Sequence, residues 1–354
     1  MLIYILLILS IVGFYFLFKD NKLYFCIAAG CLLFSLVAFR SIDMGILDTK
    51  NVYLPAFEAV QKQSILDIIT NPDTNGKLFF VITKLITFLT TNYRIYLFLI
   101  GAPYITIVMY MIYKYSRQPL ISTIIFISLY YLYSFFLLRQ VIAMSILFLS
   151  YKFLKEKKLI PFCLLVFLAT MIHQTAIIFL IAYPFCHFVK FGKKNYIMIF
   201  TCFALANIFP GLIYRIIELF DYTGKILIYI KYGIYDTSGG VSMFGLLVTI
   251  CMLIFAHFYK DKSSYEEDIL FNLSTLGSMI FSFASILSEF YRLSLFFSIF
   301  NILLVANYFV VEHRVKIKNY LMLGIVLASS AYFLTRSINN TQSNPYQFYW
   351  SDVE

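Results

Sequence analysis

Arg139 and Gln140 are the residues whose position in the sequence most directly suggests chemistry. They lie between two long apolar segments, Leu120–Phe136 and Val141–Leu154. A guanidinium in that position must lie at a membrane boundary or in a polar cavity, because hydrocarbon offers it no hydrogen-bond partner. Its planar fork of N–H groups is suited to phosphate oxygens. We therefore expect Arg139 to bind an anionic group, with Gln140 beside it.

A second group of polar residues follows Arg40, which comes directly after the apolar segment 23–39. Within the next residues the chain carries the carboxylates Asp43 and Asp48 and the aromatic Tyr53. One interpretation is a solvated loop whose arginine extends to the membrane surface. The other is a substrate-binding loop, in which Asp43 or Asp48 acts as a base or binds a sugar hydroxyl.

His173 and the pair Glu289 and Arg292 are further candidates, since each lies between two apolar segments. A single histidine is commonly a structural group, but a neutral imidazole on the same membrane face as Arg139 can also accept a proton. Glu289 and Arg292 are three residues apart. They form either a local ion pair or a site in which Glu289 orients Arg292 toward a cavity.

The composition is that of an integral membrane protein. Of the 354 residues, 61% are hydrophobic and 13% are charged, whereas a soluble domain carries about 25% charged residues. The net charge of +10 requires no nucleic-acid partner, because the cytoplasmic loops of membrane proteins collect lysine. The six cysteines fall within apolar runs and form no CxxC pair, so they indicate neither disulfides nor a zinc site.

The elements that must position these residues are apolar helices. A span needs about 20 mostly apolar residues, and the sequence contains twelve candidate segments, so we predict an all-α polytopic membrane protein with about 12 transmembrane helices, in the range 11 to 14. The segments are 1–18, 23–39, 93–113, 120–136, 138–154, 159–172, 174–189, 195–211, 241–259, 269–287, 292–311 and 319–336.

Basic residues predict the orientation of these segments. The lysine-rich loops fall on alternate sides of successive segments, so all of them are cytoplasmic if both termini are outside. Six of the eight arginines then lie on the outer face, where the positive-inside rule does not call for basic residues. We interpret this excess as a chemical signal, because arginine binds phosphate in a forked geometry. The six are Arg40, Arg94, Arg139, Arg215, Arg292 and Arg336.

The whole chain, 1–354, is expected to form a single transmembrane domain with three outer parts: 40–92, 212–240 and the C-terminal tail 337–354. Within the first of these, the apolar stretch 78–91 is short and contains Lys84. If it crossed the membrane, the downstream lysine loops would lie outside. We therefore predict that it is a re-entrant or interfacial helix on the outer side.

Several kinds of catalytic motif are absent from the sequence. It contains no Walker A pattern, no HExxH, no GxSxG and no dinucleotide-binding fingerprint, which argues against an ATP-driven pump, a zinc protease and an elbow-type hydrolase. The predicted outer face has no dense Asp/His cluster with metal-ligand spacing. We expect no cofactor and no metal site.

Five short motifs follow one another over nearly the whole chain. They are Arg40…Gly45…Asp48-Thr49…Tyr53…Phe57, Leu138-Arg139-Gln140-Val141-Ile142-Ala143, Ile172-His173-Gln174-Thr175-Ala176-Ile177, Arg292-Leu293 and Asn344-Pro345-Tyr346-Gln347-Phe348. Their order and spacing resemble the EpsG/Wzy-type polysaccharide repeat-unit polymerases of bacteria. The family usually has one residue between the glycine and the Asp-Thr pair, whereas Ile46 and Leu47 both stand there in this chain. Either Asp43 or Asp48 can therefore fill the acidic role.

The resemblance implies a membrane glycosyltransferase with a GT-C-like layout in the bacterial cell membrane. The implied donor and acceptor are undecaprenyl-diphosphate-linked oligosaccharides on the outer leaflet, joined into capsular polysaccharide, exopolysaccharide or O-antigen while undecaprenyl diphosphate leaves. Implied partners are membrane lipid and the chain-length regulator and flippase of the same pathway. In this scheme Arg40, Arg139 and Arg292 bind the diphosphate, Asp48 or His173 is the base, and Asp43, Tyr53, Gln140 and Glu289 contact the substrate.

Two other functions fit parts of the pattern. A flippase for the same lipid-linked unit suits twelve spans and a diphosphate-binding arginine. It would, however, expose its cations to both sides in turn, whereas the arginines here are predicted on one face. Another outer-face transferase, such as a ligase or an acyltransferase, also needs arginine and histidine on that face. The sequence favours the polymerase.

Overall fold

The computed structural model describes residues 2–45, 48–72, 74–220, 239–258, 265–287, 289–308, 315–339 and 345–352. These residues are helical apart from connecting segments and an isolated bridge between Arg40 and Phe348, so the predicted all-α class is confirmed. The helices are α1 Leu2–Leu17, α2 Lys22–Ala38, α3 Leu54–Lys62, α4 Ile65–Thr70, α5 Lys77–Thr87, α6 Tyr93–Tyr115, α7 Pro119–Leu129, α8 Leu138–Leu149, α9 Tyr151–Lys155, α10 Leu159–Ile172, α11 Ala182–Phe188, α12 Lys193–Ile208, α13 Pro210–Phe220, α14 Gly239–Phe258, α15 Tyr265–Phe281, α16 Glu289–Ser298, α17 Asn301–Tyr308 and α18 Val315–Asn339.

Short helical turns connect several of these helices. Thr49–Tyr53 is a π-helical turn that leads into α3, and Tyr131–Phe135 is a 3₁₀ turn between α7 and α8. Three more 3₁₀ turns occupy Gln174–Ile181, Ser282–Ser285 and Tyr349–Asp352. A break between two helices leaves backbone carbonyls without intrahelical donors, and such breaks in this chain occur beside the candidate residues.

Few of the described helices are long enough by themselves to cross a membrane. Among the described helices, α6 has 23 residues and is long and apolar enough to cross a membrane by itself, while α16 and α17 pass the same test only as one pair bent by 43°. All twelve predicted segments contain helix, but the count of twelve spans is not confirmed. The shorter apolar helices, of 10–17 residues, are Leu2–Leu17, Lys22–Ala38, Pro119–Leu129, Leu159–Ile172, Gln174–Phe188, Gly245–Phe258 and Leu323–Ile338.

The chain divides into two compact units. The first contains Met1–Tyr151, Ile160–Ile177 and Phe309–Glu354, and the second contains Lys152–Leu159 and Ile178–Tyr308. All the candidate residues between Arg40 and His173 therefore belong to the first unit.

In the first unit, α2 and α6 run antiparallel. At one end the Lys22 ammonium donates to the carbonyl of Ser116, and at the other end Gly101 packs closely on Val37, leaving 3.0 Å between a Cβ built there and Val37 Cγ1. Four arginines lie at the second end, beyond Val37, and we call it the arginine end. They are Arg40, Arg94, Arg139 and Arg336. The first end carries Lys22, Lys114 and Arg117 instead.

The helices α3, α4 and α5 form a small cap at the arginine end. Helix α4 begins with a capping box, in which Ser64 Oγ accepts from the N–H of Asp67 and the Asp67 carboxylate accepts from the N–H of Ser64. Helix α5 has 11 residues and is therefore about 16 Å long, about half the thickness of the hydrocarbon core. This length agrees with the prediction that 78–91 does not cross the membrane.

Lys84, which made 78–91 difficult to interpret from the sequence, is buried in this cap. Its ammonium donates to the carbonyls of Val60 at 3.2 Å and Gln61 at 2.9 Å. These carbonyls belong to the last turn of α3, where a cation is favoured by the helix dipole and by the missing intrahelical donors. Lys84 thus joins α5 to α3.

The C-terminal tail packs beside the end of α2. Ser41 N–H donates to the carbonyl of Gln347 at 2.8 Å, and Tyr349 N–H donates to the carbonyl of Phe39 at 2.9 Å. Helix α18 continues to Asn339, three residues into the predicted tail 337–354. Most of the other predicted outer part, 212–240, lies outside the described residues, which resume at Gly239 after Phe220.

The second unit packs around α15 with buried polar contacts. Asn195 Nδ2 donates to Asn272 Oδ1 at 3.0 Å and to Thr275 Oγ1 at 3.2 Å. Gly277 allows α15 to approach α16 closely, since a Cβ there would lie 3.2 Å from the backbone nitrogen of Ser298. Small residues and hydrogen-bonded amides are common where membrane helices associate.

Replacing Lys84 by Met is expected to destabilise the cap. The variant removes the ammonium that donates to the Val60 and Gln61 carbonyls, although Val60 still accepts from the Gln63 N–H, and losing buried hydrogen bonds to a charged group costs about 1–3 kcal/mol. We expect the thermal midpoint of the detergent-solubilised protein to fall by a few degrees. Lys62→Met is the matched control, because Lys62 is exposed in the neighbouring helix. Equal midpoints for the two variants would contradict the assigned contact.

Candidate functional site

Arg139 is the second residue of α8, at the arginine end of the first unit. Its backbone N–H donates to the Tyr53 hydroxyl at 3.4 Å, and its Nη1 donates to the carbonyl of Asn75 at 3.1 Å. The guanidinium carbon lies 5.8 Å from the centre of the Phe80 ring. Nε is buried and makes no hydrogen bond within the described residues. None of the described carboxylates lies within 4.0 Å of its nitrogens.

The position of Arg139 follows from a break in a long apolar stretch. Helix α7 ends at Leu129, the 3₁₀ turn Tyr131–Phe135 follows, and α8 begins at Leu138 and runs for 12 residues. The N-terminus of such a helix carries a partial positive charge. The guanidinium and the helix terminus therefore combine two positive contributions at one place.

A left-handed glycine holds the predicted substrate-binding loop against this break. Gly45 has φ +72, and a Cβ at that position would lie 2.4 Å from the carbonyl oxygen of Phe135. Thr49 Oγ1 donates to the same carbonyl at 2.8 Å. The loop is thus fixed to Phe135, three positions before the start of α8, and only glycine allows the approach without strain.

Tyr53 connects the loop to Arg139. Its side chain is buried, and burial raises the pKa of its hydroxyl, an effect that the Arg139 charge opposes and the nearby Asp48 carboxylate increases. The hydroxyl therefore remains protonated at neutral pH. Because both Arg139 and Asp48 act on it electrostatically, the three side chains form one group.

Asp43 and Asp48, which the sequence could not separate, have different surroundings. Asp43 forms an ion pair with Lys50, and both side chains are more than 40% exposed. Asp48 is partly exposed and begins the π-helical turn that ends at Tyr53. Asp48 therefore acts electrostatically on Tyr53, which contacts Arg139, whereas Asp43 is paired with Lys50 at the surface.

His173 follows the last residue of α10 and is partly exposed, with Nδ1 2.8 Å from Thr175 Oγ1. The end of α10 meets Arg139 through the turn at Asn75 and Gly76. Gly76 has φ +78, and a Cβ there would lie 2.4 Å from the carbonyl oxygen of Ile172 and 3.7 Å from Arg139 Nη1. Arg139 and the segment that carries His173 are thus brought to the same turn.

Arg40 is buried, with 2% of its surface exposed. Its Nη1 donates to the carbonyl of Val37 at the end of α2, and its guanidinium carbon lies 5.8 Å from the centre of the Phe135 ring. Nε and Nη2 make no hydrogen bond within the described residues. Burial lowers the pKa of Arg40 to about 10, so its side chain remains charged at pH 7. The backbone of Arg40 pairs with Phe348 in the isolated bridge.

Gln140, Glu289 and Arg292 are the remaining candidates. Gln140 is buried in the first turn of α8. Arg292 belongs to the second unit, where its Nη1 lies 3.2 Å from the Glu289 carboxylate, both side chains being about one-third exposed. This is the local ion pair that the spacing allowed.

A sequence model of the EpsG family matches residues 22–348. The chain belongs to the EpsG family. The search of curated proteins and the search of solved structures each give no match. The resemblance found in the sequence is thereby confirmed, and membership makes this chain a membrane protein of the polysaccharide-polymerase type.

The motif residues of this EpsG protein have packing roles that the sequence alone did not show. Gly45 and Thr49 dock on Phe135, and Tyr53 meets Arg139. Phe57 packs against Tyr96, with ring centres 4.7 Å apart. The first motif is therefore a single connection from the end of α2 to the start of α8.

Sequence reasoning missed Asn75 and Gly76. The dipeptide Asn-Gly is a turn signal, and it stands directly before α5. That signal predicts a turn, but it says nothing of the two contacts with Ile172 and Arg139, because these depend on residues about 60 to 100 positions away.

The arginine excess on the predicted outer face is partly structural in this EpsG protein. Arg336 Nη1 donates to the carbonyl of Leu129 at 2.7 Å, at the end of α7, and its guanidinium lies 4.5 Å from the Tyr133 ring centre. Arg40 similarly binds the last turn of α2. Two of the six arginines thus donate to helix-terminal carbonyls, a structural contact that the sequence did not indicate.

The described residues contain no group of three or more His, Cys, Asp or Glu side chains that could hold a metal ion. The polar groups available around Arg139 are instead a guanidinium, a phenol, a carboxylate and backbone carbonyls. Such a set can bind an anion and accept a proton.

Replacing Gly45 by Ala tests the docking of the loop. The new methyl would lie 2.4 Å from the Phe135 carbonyl oxygen in a left-handed backbone, and strain of this kind costs about 1–3 kcal/mol. We expect a thermal midpoint several degrees lower in detergent. Gly13→Ala is the control, since no atom lies within 4 Å of the added Cβ and the change favours helix. A midpoint for Gly45→Ala equal to that of the wild type would refute the contact.

Proposed function

We propose that this EpsG-family protein polymerises undecaprenyl-diphosphate-linked oligosaccharide repeat units at the outer leaflet of the bacterial cell membrane. A hydroxyl of one repeat unit attacks the anomeric carbon of another. The bond from that carbon to the diphosphate oxygen breaks, undecaprenyl diphosphate leaves, and a base takes the hydroxyl proton. The observation that carries the proposal is the Arg139 guanidinium, which has no carboxylate partner among the described residues and lies beside Tyr53 and Asp48 at the start of α8.

The leaving diphosphate needs cationic donors at the membrane boundary. Negative charge develops on its oxygen as the sugar bond breaks, and preorganised donors at that place stabilise the transition state. Arg139 supplies a planar fork, and the N-terminus of α8 adds a partial positive charge. One edge of the guanidinium is held by the Asn75 carbonyl, so its orientation is set before the substrate binds.

Asp48 is the base in this proposal. Its carboxylate acts on Tyr53, whose hydroxyl accepts a hydrogen bond from Arg139, so an acceptor hydroxyl bound there would face both groups. Asp43 is already paired with Lys50 at the surface, so its carboxylate is engaged elsewhere. His173 is the alternative base, because its segment reaches Arg139 through the turn at Gly76.

The other candidates take supporting roles in the proposal. Arg40 pairs with Phe348 of the C-terminal tail and donates to the carbonyl of Val37 at the end of α2. The loop to Asp48 begins there. Tyr53 positions the first turn of α8, and Gln140 follows within that turn. Arg292 belongs to the second unit, where it is paired with Glu289, and the contact of both residues with substrate stays a prediction. The reaction needs no nucleotide, because the lipid diphosphate bond already activates the donor.

Arg139→Lys is expected to remove most of the polymerase activity. An ammonium cannot make the two parallel hydrogen bonds of a guanidinium, and losing a hydrogen bond to a charged group, about 1.5–3 kcal/mol, lowers the rate roughly 10- to 100-fold. The assay follows chain growth on gels, using purified protein in lipid vesicles and the lipid-linked oligosaccharide extracted from the cells that make it.

Arg117→Lys is the matched control for this assay, because Arg117 is exposed at the opposite end of the first unit. It should polymerise at the wild-type rate. Unchanged chain growth by Arg139→Lys would remove Arg139 from the site. If wild-type protein forms no polymer and instead moves the lipid-linked unit across the vesicle membrane, the protein is a flippase.

Asp48→Asn and Asp43→Asn form a second matched pair. A positioned general base contributes about 10²- to 10⁴-fold to a rate, so we expect Asp48→Asn to lose at least a hundredfold in chain growth. Asp43→Asn removes a surface ion pair, which typically contributes 1 kcal/mol or less, and should keep most of the activity. A large loss in His173→Ala together with an active Asp48→Asn would assign the base to His173.

A further inference from the structure

The turn at Asn75 and Gly76 lies where three separate parts of the chain meet. It precedes α5, it contacts the end of α10, and it contacts the Arg139 side chain of α8. We propose that this turn is a positioning element of the site, which holds the Arg139 guanidinium at a set place relative to the segment that carries His173. The proposal rests on the proposed function, since it concerns how the diphosphate-binding fork is oriented.

The first contact is made by the backbone of Asn75. Its carbonyl oxygen accepts from Arg139 Nη1 at 3.1 Å. A hydrogen bond from a charged donor is about twice as strong as a neutral one, and it restricts the rotation of a long side chain. With Nη1 held in this way, the direction of the remaining N–H groups is fixed by the turn.

The second contact is made by Gly76. Its φ of +78 lies in the left-handed region, and a Cβ there would lie 2.4 Å from the carbonyl oxygen of Ile172. That oxygen belongs to the last residue of α10, so it cannot move like the end of a flexible side chain. Any residue larger than glycine must therefore push the turn away from α10, and the Asn75 carbonyl moves with it.

The turn is rigid because the first residues of α5 are held on several sides. Lys77 Nζ donates to the carbonyl of Ile69 at 2.6 Å. The Phe79 ring lies 5.8 Å from the Tyr53 ring, and the Phe80 ring lies 5.8 Å from the Arg139 guanidinium. A shift of the turn would therefore change the position of both Tyr53 and Arg139, while the rest of the cap remains anchored by Lys84.

This arrangement explains how the Arg139 guanidinium can be oriented without an acidic partner. A carboxylate hydrogen-bonded to the Arg139 guanidinium would compete with the diphosphate for the same N–H groups. A backbone carbonyl orients the guanidinium without neutralising its charge, so the charge remains available to an anionic ligand. The same reasoning accounts for glycine at 76, since the carbonyl can reach Arg139 only if the turn packs tightly on Ile172.

The test uses Gly76→Ala and Gly76→Asn in purified full-length protein. Both variants add a Cβ that displaces the turn. Asparagine tolerates the left-handed region, so Gly76→Asn does this with less backbone strain and can be measured even if Gly76→Ala fails to fold. Gly324→Ala is the control, because no atom lies within 4 Å of its added Cβ. Three quantities are measured: the thermal midpoint, the rate of chain growth, and the affinity for undecaprenyl diphosphate.

We expect both Gly76 variants to lose at least tenfold in chain growth and in affinity for undecaprenyl diphosphate, while Gly324→Ala retains both. The two losses should shrink to less than twofold when the same substitution is made in Arg139→Ala protein, because residues that act through one another are not additive. A purely structural role would lower the thermal midpoint and give additive losses.

Two results would overturn the proposal: wild-type affinity in both Gly76 variants, or losses that add to those of Arg139→Ala. The affinity measurement also separates this inference from the proposed function. If the wild type binds undecaprenyl diphosphate through Arg139 but forms no polymer, the polymerase function fails. The affinities of the Gly76 variants then still show whether Gly76 acts through Arg139. If chain growth depends on Arg139 and not on Gly76, the polymerase stands and the positioning role fails.

Discussion

Helix-terminal carbonyls in the first unit must find donors from elsewhere in the chain, and much of the structure depends on this constraint. Helices broken within an apolar chain leave carbonyls that neither lipid nor the helix itself can satisfy. Thr49 donates to Phe135 and Arg336 to Leu129. Arg40 and Lys84 serve the ends of α2 and α3 in the same way. These contacts bring distant segments to one end of the unit.

Arg139 differs from the other cations in what it contacts. It stands at the start of a helix rather than the end, so the helix dipole does not stabilise its charge, and it donates to a single turn carbonyl. Arg336 instead donates from Nη1 to a helix-terminal carbonyl at 2.7 Å, where the helix dipole favours a cation. A positive charge in a fixed orientation is what an anionic ligand requires.

Two glycines give the arginine end its tight packing. Gly45 and Gly76 both adopt left-handed conformations, and each brings its own turn to within contact of a carbonyl of another segment, Phe135 and Ile172 respectively. One turn leads to Asp48 and Tyr53, and the other holds Arg139. The relative positions of the acidic group and the guanidinium therefore follow from two backbone contacts rather than from side-chain pairing.

The sequence by itself determined the all-helical membrane class and the family, because composition and short motifs are local properties. It did not distinguish Asp43 from Asp48, and it suggested phosphate binding for all six outer arginines. Only the tertiary structure showed that Asp43 pairs with Lys50, and that Arg40 and Arg336 donate to carbonyls at helix ends. It also revealed Gly76, whose role depends on Arg139 and Ile172. The physical reason is that hydrogen bonds and steric exclusion depend on distances between segments far apart in the chain, which residue types and spacing do not specify.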